Sequence, residues 1–316
     1  MELRRCHNVA MPRRAVLAVI AAGVLFGTTG TARSLGPDAT SVWLVGTIRI
    51  ALGALTLLLC SLVARERSVA IGPKAAMFIA IGGVGAAIYQ PAFFAGVEEC
   101  GVAIGTVIAL GSGPMFAGAI DRAIRQQPLQ PRWYAGTAIM LIGVAVLVAT
   151  NSSGQSQTGL SIRGVLFALA AGLGYAMYAQ TTSSLIELKM PSTMALAAQF
   201  GVAAIMLSPF MIATLMSDTP ANWMWSASGA VMLLHLGVLT AGIAYVLYGW
   251  GLRSLPVSTA VSITLVEPLT AAGAAFLVLG ERLSTSGSVA GVVVFVGLLV
   301  LTVERQPLST PVQESD

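Results

Sequence analysis

The sequence has 316 residues, 56% of them hydrophobic and 9% charged, with a mean hydropathy of +0.84. Soluble domains carry roughly 25% charged residues, so the composition excludes a water-soluble globular protein. The formal charge of +4 and isoelectric point near 9.2 invite a nucleic-acid partner, but the positions of the charges assign them another role.

A helix needs about 20 apolar residues to cross roughly 30 Å of hydrocarbon. Runs of that length recur at about 14–35, 40–63, 74–96, 100–120, 132–150, 163–186, 192–216, 227–250, 256–279 and 285–303. They predict an all-α membrane protein with ten transmembrane helices. The connections are short, and the tail 304–316 is polar and Pro-containing, the composition of a disordered segment. Function is therefore expected within the helices. Cys6, Cys60 and Cys100 are odd in number and scattered, which suggests neither a disulfide framework nor a metal site.

With the N-terminus placed inside, the inner segments hold thirteen basic residues: Arg4, Arg5, Arg13, Arg14, Arg65, Arg67, Lys74, Arg122, Arg125, Arg132, Lys189, Arg253 and Arg305. The outer segments hold three, Arg33, Arg163 and Arg282, and Arg49 lies within a span. Positive residues stay on the cytoplasmic side, so both termini are expected there and the basic isoelectric point is an orientation signal. The start "MELRRCHNVAMPRR", followed by "AVLAVIAAGVLFG", has the form of a secretory signal. A repeat argues against that reading.

"RAVLAVIAAGVLFG" at 14–27 aligns with "RGVLFALAAGLGYA" at 163–176, an offset of 149. Farther along, at offset 154, Gly83 matches Gly237, Val84 matches Val238, Pro114 matches Pro268, Ala117 matches Ala271, Leu129 matches Leu283 and Gly143 matches Gly297. A cleavable signal has no reason to be copied mid-chain. The chain divides into a basic segment 1–13, a first five-helix repeat 14–150, a second 163–303 and the tail 304–316. An odd number of helices per copy makes the second enter from the opposite side, the inverted arrangement of many secondary transporters.

Each half ends in a Pro-containing helix, a short loop and a Gly-rich helix: "VEPLTAAGAAFLVLGERLS…GVVVFVGLLVL" in the second, "GSGPMFAGAIDRAIRQQPL…GTAIMLIGVAVLV" in the first. With ten spans in two halves, this resembles the drug/metabolite transporter superfamily, in particular the EamA family. The first half departs from the pattern, with Gly113 for Glu267 and Gln127 for Glu281. The resemblance implies transport of small metabolites, often export of amino acids or related compounds, through a cavity between the halves.

Glu267 lies eleven residues into its span, roughly 17 Å along a helix and near mid-membrane. A carboxylate there is costly unless it faces a cavity, a partner or a proton. At 100° per residue Thr259, Ser262, Glu267, Thr270 and Gly273 share an arc of about 140°, which is expected to face the interior. Pro268 removes the donor for the carbonyl of Thr264, and Pro114 interrupts the fourth span at the equivalent place. Paired broken helices of this kind point to a transporter site. Arg49, the basic residue deep in a span, is a candidate for a substrate carboxylate or for pairing with Glu267, against a purely structural role; its repeat partner is Gln199.

The first span carries a small-residue face, Gly23, Gly27, Gly30, Thr31 and Ser34, suited to close helix packing, with Thr28 and Thr31 as cavity candidates. Ser112, Tyr89, Gln90, Tyr175, Tyr178, His235 and Tyr245 complete the set. There is no H-E-x-x-H, phosphate loop or Asp-rich motif, so neither an enzyme nor a metal or cofactor is expected. The expectation is a multi-pass secondary active transporter of a bacterial cytoplasmic membrane, exporting small metabolites such as amino acids by alternating access with proton coupling. Its partners would be a small-molecule substrate, protons and the lipid bilayer, with no nucleic acid and a monomer compatible. Efflux of cationic drugs and uptake of a metabolite are the alternatives.

Overall fold

The computed structural model describes residues 12–38, 40–66, 70–100, 102–126, 128–151, 161–217, 221–279 and 285–302. Most of the basic segment 1–13, the tail, and Arg4, Arg5, Arg67, Gln127, Glu281, Arg282 and Arg305 lie outside the described residues.

Among the described residues all regular structure is helical. The first half consists of α1 (Arg13–Ser34), α2 (Val42–Val63), α3 (Pro73–Cys100), α4 (Val102–Ala123) and α5 (Pro131–Asn151). The second begins with α6 (Ile162–Glu187) and α7 (Ser192–Leu215). Two interrupted rods follow. In one, α8 (Ala227–Leu234) passes through a π-helical segment, His235–Ile243, into α9 (Ala244–Leu252). In the other, α10 (Val257–Ile263) passes through a 3₁₀ turn, Thr264–Val266, into α11 (Glu267–Leu279). Last comes α12 (Thr285–Thr302). Among the described residues, seven helices or rods are long and apolar enough to cross a membrane: Arg13–Ser34, Val42–Val63, Pro73–Glu99, Ile162–Glu187, Ser192–Leu215, Ala227–Leu252 and Val257–Val278.

Lipid offers helices no hydrophobic drive to associate, so tight packing must hold them. The contacts follow from this. α3 packs on α6, and α5 on α12. At the first crossing a Cβ on Gly85 would lie 2.7 Å from the carbonyl of Gly174; at the second, one on Gly297 would lie 2.9 Å from the carbonyl of Gly136. Backbone meets backbone at both places, and no side chain fits. α2 lies on α7, α4 on α6, and α1 on both α9 and α11. The outer surface is apolar, with Ile205 73% and Leu277 80% exposed. In water such a surface would be a liability; in hydrocarbon it is not.

One end of the bundle, where α2, α4 and α6 finish, is tied by polar contacts. Asp121, fully buried, accepts 2.8 Å hydrogen bonds from Nε2 of Gln180 and from the backbone N–H of Ser258. The second bond supplies from α4 the N-terminal cap that Pro256, which precedes α10, has no side chain to make. Arg125 donates to Glu187 at 2.6 Å and to Ser184 at 2.9 Å. Thr193 of α7 donates to Glu66 beyond the end of α2.

Candidate functional site

The second interrupted rod builds the centre of the site. Pro268 has no N–H for the carbonyl of Thr264, and the chain tightens through Thr264–Val266 before α11 begins at Glu267. Glu267 thus occupies the first turn of α11, its own N–H taken by the Thr264 carbonyl. α1 lies against this junction. A Cβ on Gly27 would come within 2.6 Å of the Glu267 carbonyl and 2.9 Å of the Ala271 nitrogen.

Beside the junction is a cavity of about 490 Å³. α1 contributes Phe26, Gly27, Thr29, Gly30 and Arg33; α2 contributes Arg49; α3 contributes Tyr89, Gln90, Phe93 and Phe94. Thr106 and Leu110 of α4, Tyr175 and Tyr178 of α6, Tyr245 of α9, and Glu267, Pro268, Ala271 and Ala272 of α11 complete the wall. The cavity lies toward the end where α1 and α3 finish, opposite the Asp121 contacts.

Its aromatic side is a connected cluster. Ring centroids are 4.9 Å apart for Phe26 and Tyr245, 5.2 Å for Tyr175 and Tyr178, and 5.9 Å for Tyr89 and Tyr175. The Tyr178 and Tyr245 hydroxyls share a 2.8 Å hydrogen bond, and that of Tyr175 meets Thr264 Oγ1 at 2.8 Å. These hydroxyls are occupied within the protein. Others are not: buried Nε of Arg49, Oε1 of Gln90 and Oγ1 of Thr29 have no partner among the described residues. All three atoms belong to residues that line this cavity. Arg49 and Glu267 line the same cavity, yet the direct ion pairs among the described residues are Arg125–Glu187 and Arg163–Glu99.

Of the candidates named from sequence, Glu267, Pro268, Arg49, Tyr89, Gln90, Tyr175, Tyr178 and Tyr245 line this cavity. The others lie elsewhere. Ser262 shares a 2.9 Å hydrogen bond with Thr137 of α5, and Thr259 is buried beside it in α10. Extending a uniform helical wheel from Glu267 back to them fails, because a 3₁₀ turn advances each residue by 120° and three residues rotate α10 by roughly 60° relative to that wheel. Thr270 donates to the Val266 carbonyl and packs against α1. Ser112 donates to the Ala109 carbonyl and packs against Gly172 of α6, while Pro114 is buried within an unbroken α4. Thr28 bonds Nε2 of His235 at 2.9 Å, joining α1 to the π segment, and Thr31 is buried in α1.

Arg33, Phe93, Phe94, Thr29 and Thr106 escaped the sequence reading. Arg33 had one available signal: it is a basic residue on the sparsely charged outer side, directly after the small-residue face of the first span. Asp121 also escaped, its partners Gln180 and Ser258 being 59 and 137 residues away.

The fold is a multi-helix membrane bundle with a largely apolar, aromatic-walled cavity, and its similarity to known proteins identifies it as a membrane transporter. A profile described as the EamA-like transporter family matches residues 13–149 and 162–303. The chain belongs to that family. It is 33% identical over 286 residues to a Bacillus subtilis (strain 168) protein described as the uncharacterized transporter YwfM, covering 90% of this chain and 93% of that one. An uncharacterized transporter of Archaeoglobus fulgidus is 24% identical over 137 residues, covering 43% of this chain and 47% of its own. A solved crystal structure shares the fold, with a TM-score of 0.75 at 19% identity, covering 91% of this chain and 96% of the other.

Proposed function

We propose that this protein is a secondary active transporter that moves a small carboxylate-bearing metabolite, amino acids among them, out of a bacterial cell by alternating access across the cytoplasmic membrane. The observation that carries the reading is the meeting of Arg49 and Glu267 in one cavity without a direct ion pair. Arg49 holds the substrate carboxylate through a guanidinium fork suited to it. Glu267 takes up and releases a proton as the cavity changes access, which couples transport to the proton gradient.

The ten-crossing, inverted topology supplies the mechanism. The pairing pattern supports it: exchanging the halves sends α2–α7 and α5–α12 onto themselves, and sends the contact of α4 with α6 onto that of α1 with α10 and α11. In the orientation inferred from charge, the Asp121, Arg125 and Glu66 contacts close the cytoplasmic end. The cavity lies toward the other side, as an outward-facing state requires. Breaking these contacts and re-forming their counterparts opposite would complete the cycle.

Efflux of cationic drugs is the weaker reading. Two arginines against one carboxylate line the cavity, so the fixed charge there opposes a cation on balance even with Glu267 ionised, and more so with it protonated. Purified protein in liposomes, assayed against a panel of small carboxylates that includes amino acids, with and without a pH gradient, tests the proposal. Wild type should accumulate substrate in response to the gradient and Glu267→Gln should not. Undiminished, gradient-driven uptake by Glu267→Gln would remove the coupling role.

A further inference from the structure

The charges lining the cavity are unequal: Arg33 and Arg49 against Glu267. Arg33 sits in the last turn of α1, where helix-end carbonyls also favour a cation, and its Nη2 donates to the Thr40 carbonyl at 3.3 Å. That bond uses one of five guanidinium donors and holds the side chain over the cavity wall. The remaining donors, with the guanidinium of Arg49, give the cavity two separate cationic groups. With Glu267 ionised the lining carries one net positive charge, and with Glu267 protonated it carries two. A zwitterion neutralises neither state. The rest of the wall is dominated by rings, with Phe26, Tyr89, Phe93, Phe94, Tyr175 and Tyr178 among them, and the bonded tyrosine hydroxyls leave ring surface as what an occupant meets there.

We infer that the transported compound is a net-anionic, ring-bearing carboxylate, and that Arg33 is the residue that selects it over zwitterions and amines. This rests on the reading of the cavity as the transport site. Arg49 binds the carboxylate common to anion and zwitterion; Arg33 repels the ammonium group that a zwitterion or an amine would bring close to it. A ring slots among the aromatic side chains, where stacked and edge-on contacts are favourable.

Three probes with one ring and different charge test this: 3-phenylpropionate, phenylalanine and phenethylamine. Binding to detergent-solubilised full-length protein is read by thermal shift, and transport by counterflow in liposomes. Wild type should bind 3-phenylpropionate at least tenfold more tightly than phenylalanine and bind phenethylamine least. Arg33→Gln should bring the ratio of anion to zwitterion near one, Arg33→Lys should keep most of it, and Arg49→Gln should weaken both carboxylates together. Equal or tighter binding of phenylalanine or phenethylamine by wild type overturns the inference, as does no binding of any probe, or an unchanged ratio in a folded Arg33→Gln protein. If 3-phenylpropionate binds in the expected order but no probe is carried across the membrane, the charge preference stands and the transport reading falls. If transport occurs with no preference by charge, the transport reading stands and this inference falls.

Discussion

The two proline-bearing helix regions, Gly113–Pro114 in α4 and Glu267–Pro268 at the start of α11, occupy matching places in the repeat but behave differently. α4 runs unbroken through Pro114 from Val102 to Ala123. At Pro268 the rod tightens into a 3₁₀ turn and restarts. Gly113 leaves room for a ring: a Cβ there would stand 3.2 Å from Cδ1 of Tyr175. Glu267 instead puts a carboxylate on the cavity wall. The first half does have an acid on the same helix, two turns farther on, but Asp121 is fully buried and takes hydrogen bonds from Gln180 and Ser258. An acid with two fixed donors holds elements together. One without fixed donors is free to exchange partners. On the function proposed above, the first half uses its carboxylate for closure and the second uses its carboxylate for binding.

The largest expected effect breaks this division outright. Glu267→Gln should reduce gradient-driven uptake to the level of empty liposomes while leaving thermal stability near wild type, whereas Asp121→Ala should lower the thermal stability. Loss of the Asp121 hydrogen bonds leaves buried donors unpaired, at a cost of about 2–3 kcal/mol, which a lowered Tm of the purified protein would report. If Asp121→Ala keeps its Tm and loses transport, the assignment of roles is wrong.

Next in size is α1 against the α11 junction. Gly27→Ala inserts a methyl group against the Glu267 carbonyl and Ala271 nitrogen, and overpacking of this kind costs about 1–3 kcal/mol. Gly30→Ala is its control, with no atom within 4 Å of the added carbon; its stability should stay within about 0.5 kcal/mol of wild type, leaving Tm nearly unchanged. Equal Tm values for the two variants would contradict the close approach at the half-helix start.

Smaller still is the comparison of the prolines themselves. Pro268→Ala restores the missing donor and should straighten the rod, lowering turnover about tenfold, equivalent to ~1.4 kcal/mol. Pro114→Ala, in a helix already continuous, should change turnover less than about twofold. Equal losses would mean that both prolines serve packing alone.

Much of the fold is legible in the residues because a bilayer leaves few choices. With no water to satisfy backbone groups, long apolar runs must become helices, so composition and run length by themselves determined an all-helical membrane protein, and the "VEPL" stretch located the interrupted rod at Glu267–Pro268. What the linear pattern missed depends on rotation and curvature. Thr259 and Ser262 share a helical wheel with Glu267 only if the helix is uniform, and the 3₁₀ turn makes it otherwise. Arg33 reads as a loop charge in one dimension, yet the last turn of α1 brings it to the same cavity as Arg49. Asp121 looks like one more polar residue near a helix end until the backbone N–H of Ser258 is seen to need it. Tertiary structure alone decided which charges share a cavity and which lack partners, because both follow from contacts between residues far apart in the chain.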